Sequence, residues 1–241
     1  MKNLKVKLRK IILLTGLSLT SVTIFECYSW DIMGKMYSPA PLMVFVTSNV
    51  TPGDMNFTLG GAVAFPQCPN SSGLLNANCV CQQSAINAGL ITSSKKVFRA
   101  WLSDSTTDAI CNIVGIKGKK SCGSYKPTKA SYVDINGNLL FYSWDYISNG
   151  GIPLRNIDTT EINSAPPGVA INAPGSWTGT MNGGTLTSAG SHCTDWTIGT
   201  TAMNGEGGNY TILSSWTWDG STTGVSNTCT NTYSIYCFEQ P

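Results

Sequence analysis

Nine cysteines constrain this 241-residue chain more than any other feature: Cys27, Cys68, Cys79, Cys81, Cys111, Cys122, Cys193, Cys229 and Cys237. The last stretch of the chain holds three of them, Cys193, Cys229 and Cys237, so one must reach far back in the sequence for a partner. Such a bond ties the C-terminus to an early element and closes the domain. Cys27 falls in a leader-like segment, and setting it aside leaves an even number that reads as four disulfides in an exported chain. A zinc site needs more widely paired spacings than Cys79-Val80-Cys81 offers.

The leader reading rests on Lys2, Lys5, Lys7, Arg9 and Lys10 ahead of an apolar run, Ile11 to Phe25, of about fifteen residues. That run is short for a membrane span. Residues 1–29 therefore read as a signal peptide, with an uncleaved anchor as the alternative. Cleavage before Cys27 would make a lipoprotein, although Glu26 fits poorly where a small residue is needed. Of 15 basic and 13 acidic residues, the leader takes five basic side chains and Glu26. The remainder is slightly acidic, which gives no support to a nucleic-acid footprint. Membrane contact is expected only through the leader or a lipid on Cys27.

Residues 30–41, with Pro39 and Pro41, read as a tether, and residues 42–241 as one domain. Only 12 % of the chain is charged, which suits a loop-rich exported domain. Leu42 to Thr47 has the content of a buried first strand. Ala77 to Ala88 reads as a helix stopped by Gly89, with Cys81, Ala85 and Ala88 on one face. Lys95 to Leu102 reads as a strand. Ser105 to Asp108 has a capping-box pattern that predicts a second helix over 106–114. Cys111 and Cys122 lie close enough to pin the following loop, and Cys68 and Cys79 to close the loop before the first helix. Sequence alone still leaves about a hundred connectivities for eight cysteines. Tyr132 to Phe141 predicts a hairpin about Asn136-Gly137, and Ser143 to Ser148 a helical turn.

Five stretches, taken in order, resemble the endostatin domain of collagens, a variant of the C-type-lectin-like fold, and more closely resemble bacterial exported domains of unknown function in that superfamily. They are Val44 to Ser48 with Leu59-Gly60-Gly61; Cys81-Gln82-Gln83 through Gly89-Leu90; Phe98 to Ser103; Asn138 to Phe141 with Ser143-Trp144; and Trp177-Thr178-Gly179, Cys193 to Trp196, Cys229 and Tyr236 to Glu239. The resemblance implies an α+β fold: a mixed, largely antiparallel sheet with two flanking helices and long disulfide-pinned loops. It also implies the nested disulfides Cys81–Cys237 and Cys193–Cys229. The N-terminal histidines through which endostatin binds zinc have no counterpart, since His192 is the sole histidine. Scattered arginines are reduced to Arg99 and Arg155 beyond the leader, and the calcium motifs of sugar-binding C-type lectins are missing. No cofactor or metal is expected.

Several stretches carry candidate chemistry. His192 lacks an accompanying nucleophile motif and reads as structural. Asp134 to Asn138 resembles a calcium loop, but its glycine is misplaced and its terminal glutamate missing, so a turn is expected. Asn204 to Asn209 and Asp219 could supply oxygens to one calcium ion. Lys117, Lys119 and Lys120, with Lys126 and Lys129, form the one basic cluster and a candidate ligand patch. Trp101, Trp144, Trp177 and Trp196 are expected in the core. Trp216 and Trp218, two apart, would share a strand face on which sugar rings could stack. The expected function is a non-catalytic exported module at the cell surface, in adhesion or recognition of a glycan or matrix-protein ligand. The alternatives are a hydrolase of cell-surface polymer with Glu206 and Asp219 as its acid/base pair, or a purely structural envelope protein.

Overall fold

The last strand, β11 (Ser234–Glu239), is buried along its whole length and is the axis of the sheet. The computed structural model describes residues 39–241 except 57, 60–61, 64, 69–72, 121, 123–124, 126–128, 168–174 and 218–226. The leader, Cys27 and most of the tether lie outside the described residues. Ala40–Pro241 form one compact unit.

The first strand, β1 (Leu42–Val46), pairs antiparallel with β11, Phe45 lying opposite Cys237. The other edge of β11 is shared. Its C-terminal half pairs antiparallel with β4 (Phe98–Ala100), and its N-terminal half pairs parallel with β7 (Gly175–Trp177). Beyond β1 come β5 (Tyr132–Val133) and β6 (Leu139–Phe141), which form the expected hairpin. Asp134 Oδ1 holds its turn by accepting from the backbone N–H groups of Asn136 and Asn138. Asp134 therefore serves the turn, as its spacing predicts. On the far side β7 pairs with β9 (Gly207–Asn209). Two short ribbons stand apart: β2 (Thr58–Leu59) with β3 (Ala62–Val63), and β8 (Asn204–Gly205) with β10 (Asn227–Thr228).

Successive side chains along a strand point to opposite faces, and both faces of this sheet are covered. Val44, Val46, Tyr236 and Phe238 meet Trp101, Tyr132, Phe141 and Trp216 in one core. Phe45, Ile235 and Cys237 meet Phe98, Trp177, Cys193 and Trp196 in the other.

Four helices are present among the described residues. The first, α1 (Leu74–Asn87), starts a turn earlier than its sequence pattern indicates, because its N-cap is Gly73, which offers no side-chain signal. The second, α2 (Ala109–Ile113), is shorter than expected, with Asp108 as N-cap. The capping box is not formed. Ser103 Oγ accepts from Ala109 N–H, Asp104 Oδ1 takes the N–H groups of Thr106 and Thr107, and Ser105 bonds elsewhere. The strand expected over 95–102 contracts to β4. The third helix, α3 (Trp144–Ser148), is capped by Ser143 Oγ, which accepts from Tyr146 N–H. The fourth, α4 (Cys193–Trp196), is a single turn of unusual hand, described below.

Four disulfides tie these elements together. Cys68–Cys79 and Cys111–Cys122 each close a local loop, with partners 11 residues apart. Cys81–Cys237 joins α1 to β11 across 156 residues, and Cys193–Cys229 spans 36 within it. By chain entropy the larger ring restricts the unfolded chain by up to about 5 kcal/mol and the smaller by about 4 kcal/mol. This set of bonds fits an exported protein. Among the described residues no helix is long and apolar enough to cross a membrane.

Candidate functional site

A cleft of about 390 Å³ opens where α1, β4, α2 and α4 converge. Its inner wall depends on how β4 is finished. One edge of β4 pairs with β11; the other faces α1 and α2, where backbone groups need partners from side chains. Asn78 on α1 and Asn112 on α2 supply them. Their amides bond to each other twice at 2.8 Å, while Asn78 Oδ1 accepts from Ala100 N–H and Asn112 Nδ2 donates to Ala100 O. Gln82 does the same one step along, accepting from Phe98 N–H and donating to Lys96 O.

Arg99 lies between those two anchored positions, and its side chain lines the cleft. The guanidinium rests against the exit of α2, where a Cβ at residue 115 would sit 3.2 Å from Arg99 Nη2. Gly115, at φ 77°, thus meets both the backbone and the space requirement. Arg99 Nε is enclosed and makes no hydrogen bond among the described residues. Burial lowers the pKa of this group from its ordinary value, yet an arginine stays charged.

The cleft lining also carries two carboxylates, Asp104 and Asp195. Asp104 Oδ1 accepts from Thr106 N–H, Thr106 Oγ1 and Thr107 N–H at 2.6–2.9 Å. Asp195 accepts from Ser105 N–H and Ser105 Oγ, each at 2.7 Å. Burial alone would raise the Asp195 pKa, but the Ser105 donors, with His192 and Lys119 nearby, outweigh it and hold the group below its ordinary value.

Asp195 sits in a left-handed helical turn. Cys193, Thr194, Asp195 and Trp196 have φ of 47°, 51°, 57° and 60°. Trp196 N–H donates to His192 O, and Thr197 N–H to Cys193 O. Left-handed helix costs most L-residues roughly 1–2 kcal/mol each and aspartate less, so Cys193, Thr194 and Trp196 carry about 3–6 kcal/mol of strain. Tertiary bonds hold it. Cys193 is fixed to Cys229, Trp196 Nε1 donates to Ser103 O at 2.8 Å, and the Ser105 bonds restrain Asp195. Strain of this kind persists where the surroundings over-determine it, and it concentrates at functional sites.

His192 supports this turn: its Nδ1 accepts from Asp195 N–H at 2.8 Å and lies 3.2 Å from Asp195 Oδ1. Accepting through Nδ1 puts the proton of a neutral ring on Nε2. Lys117, Lys119 and Lys120 are exposed, but they are not equivalent. Lys119 Nζ pairs with Asp108 at 3.3 Å and donates to Asp104 O, Lys120 N–H donates to Asp108 Oδ2, and Lys117 stands at the cleft.

The tryptophan platform requires correction. Trp216 is 1 % exposed and packs on Trp101, Phe141, Tyr236 and Phe238, so it has no face for a sugar ring. Core packing claims it because it follows a 3₁₀ turn, Leu213–Ser215, and is not on a strand. Trp218 and Asp219 lie outside the described residues, as does Lys126. Glu206 is half-buried in the link between β8 and β9, with Oε2 enclosed and without a hydrogen-bond partner among the described residues. Among the described residues no group of three or more His, Cys, Asp or Glu is placed to hold a metal ion.

Arg99, Asn78 and Asn112 carry the cleft and were not singled out by motif. The available signals were an arginine alternating between buried Phe98 and Ala100, and asparagines on the packed faces of helices. The chain matches no protein-family model and no curated protein.

Proposed function

We propose that this chain is an exported, non-catalytic binding module with an endostatin-like, C-type-lectin-like fold, acting at the cell surface on an extracellular glycan or matrix-protein ligand. The fold reading is supported by terminal strands β1 and β11 paired side by side, and by two nested disulfides that fasten the last third of the chain to α1 and to itself. The observation that carries the binding reading is the polar cleft. Asp104 Oδ1 is bound by its own loop and Asp195 by Ser105, while Arg99 Nε has no hydrogen-bond partner among the described residues. Carboxylates used as clamps position a recess and leave little capacity for proton transfer to a substrate.

The test is an array of glycans and matrix proteins probed with the purified exported protein, with and without calcium. Saturable, calcium-independent binding to one class of ligand is the expected result. No binding anywhere on the array would transfer the assignment to a structural envelope protein. Release of new reducing ends from a bound polymer would establish the hydrolase instead.

A further inference from the structure

Arg99, half-buried like Lys96, differs from that lysine and from the exposed Lys119. Lys96 is paired with Glu239 at 3.2 Å and Lys119 with Asp108 at 3.3 Å. Arg99 has neither an ion pair nor a side-chain hydrogen bond among the described residues, although its Nε is fully enclosed. Withdrawing a charge from water without a partner is costly, so such groups are ordinarily paired. The fold nevertheless keeps this side chain in place. Its strand neighbours Phe98 and Ala100 are anchored by Gln82, Asn78 and Asn112, and Gly115 leaves room for the fork.

We infer that the cleft is a binding site for a small ligand carrying a single carboxylate, which pairs with Arg99 and turns hydrogen-bond donors toward Asp104. Nε is enclosed, so the terminal nitrogens Nη1 and Nη2 are the pair that matches a carboxylate with two parallel N–H···O bonds. Asp104 uses only Oδ1 for its own loop, and its Oδ2 accepts no hydrogen bond among the described residues. That oxygen is available to a hydroxyl or an ammonium. Asp104 and Asp195 line the same cleft and offset the charges of Arg99 and Lys117, so the recess has no excess of positive charge to favour sulfate or phosphate over a monocarboxylate. Two sources share this chemistry: a uronic acid, with hydroxyl donors, and an amino acid, with an ammonium donor. The inference rests on reading the chain as a binding module and names the site of that binding.

Arg99 and Arg155 are the arginines beyond the leader, and Arg155 is exposed, which provides an internal control. The exported protein is treated with phenylglyoxal, and modification of each arginine is followed by peptide mass spectrometry. Saturating glucuronate or β-alanine slows modification of Arg99 about tenfold and leaves Arg155 unchanged, while glucose and sulfate protect neither. Which of the two carboxylates protects identifies the source. In calorimetry Arg99→Gln weakens binding of the protecting carboxylate at least about tenfold, and Arg99→Lys retains part of it. Equal Arg99 modification with and without carboxylates overturns the inference, as does protection by sulfate as strong as by glucuronate. The wild-type protection measurement holds even if the Arg99 variants fail to fold. Arg99 protection without array binding keeps the site and removes the surface-module reading. Array binding without Arg99 protection does the reverse.

Discussion

Asp195 reaches back 90 residues to Ser105, whose backbone N–H and hydroxyl both donate to its carboxylate. This clasp joins the left-handed turn to the loop after β4 and works only with a charged acceptor at full strength. The folded state holds the Asp195 pKa below its ordinary value of 3.8. The clasp therefore contributes stability above the unfolded-state value, and that contribution disappears as pH falls through the folded-state value. Denaturant midpoints should drop on acidification below about pH 4, and Asp195→Asn should show a shallower decline. Asparagine tolerates the left-handed region as aspartate does, so the comparison isolates the charge. Equal acid sensitivity in the two proteins would remove the clasp from the account.

Thr194 is exposed and β-branched at φ 51°, ψ 63°, a conformation in which its Cβ crowds the backbone. Among the described residues only its carbonyl is used, accepting from Thr197 Oγ1 and Thr197 N–H. Thr194→Asn should raise stability by about 1 kcal/mol. Thr194→Gly should give a similar gain, reduced by the entropy of a freer unfolded chain. Urea titration at neutral pH measures both. A loss of stability in both variants would mean that the threonine makes a contribution this geometry does not account for.

Asn78 and Asn112 act as a pair in place of a missing strand, so their removal should be non-additive. Asn78→Ala strips the acceptor from Ala100 N–H, and Asn112→Ala strips the donor from Ala100 O. Each should cost about 2–3 kcal/mol, since each strands a buried polar group. In the double variant the lost amide pair is counted once, and the coupling should be about 1 kcal/mol or more. Strictly additive penalties in a denaturation cycle would show that the two amides do not depend on each other.

Locally encoded features are legible in the sequence. The hairpin over Tyr132 to Phe141 is set by Asp134 and Gly137 within a few residues, and α1 ends where Gly89 adopts φ 71°. Features that depend on distant partners are not. Ser105 has the pattern of a helix cap, but Asp195 takes its hydrogen-bonding capacity, Asp108 is the N-cap, and Ser103 Oγ accepts from the first helical N–H, that of Ala109. The left-handed turn contains no glycine, so nothing local announces it; Cys229 and Ser103 impose it. Trp216 sits in a loop-like stretch and yet is core, because Trp101, just past β4, and Phe238 on β11 enclose it. Arg99 gave the faintest signal, since a single arginine in a strand is ordinary until its missing partner is seen.

Tyr132 and Tyr236 share a feature with Arg99: their rings belong in the core, and their hydroxyls are enclosed without hydrogen-bond partners among the described residues. A buried hydroxyl left unsatisfied carries a desolvation penalty, so Tyr236→Phe should stabilise the fold by about 1 kcal/mol. Burial also raises the pKa of both phenols well above its ordinary value of 10.0. The folded state thus disfavours their ionisation. Stability is intact below the unfolded-state value and falls as pH rises beyond it, because the unfolded chain then loses protons that the folded chain keeps. Phenylalanine at 236 should remove part of that alkaline loss as well as raise the neutral-pH midpoint. Denaturation of the variant and the parent at neutral pH and above pH 10 checks both effects, and a destabilised Tyr236→Phe would show that the hydroxyl has a hydrogen-bond partner in solution.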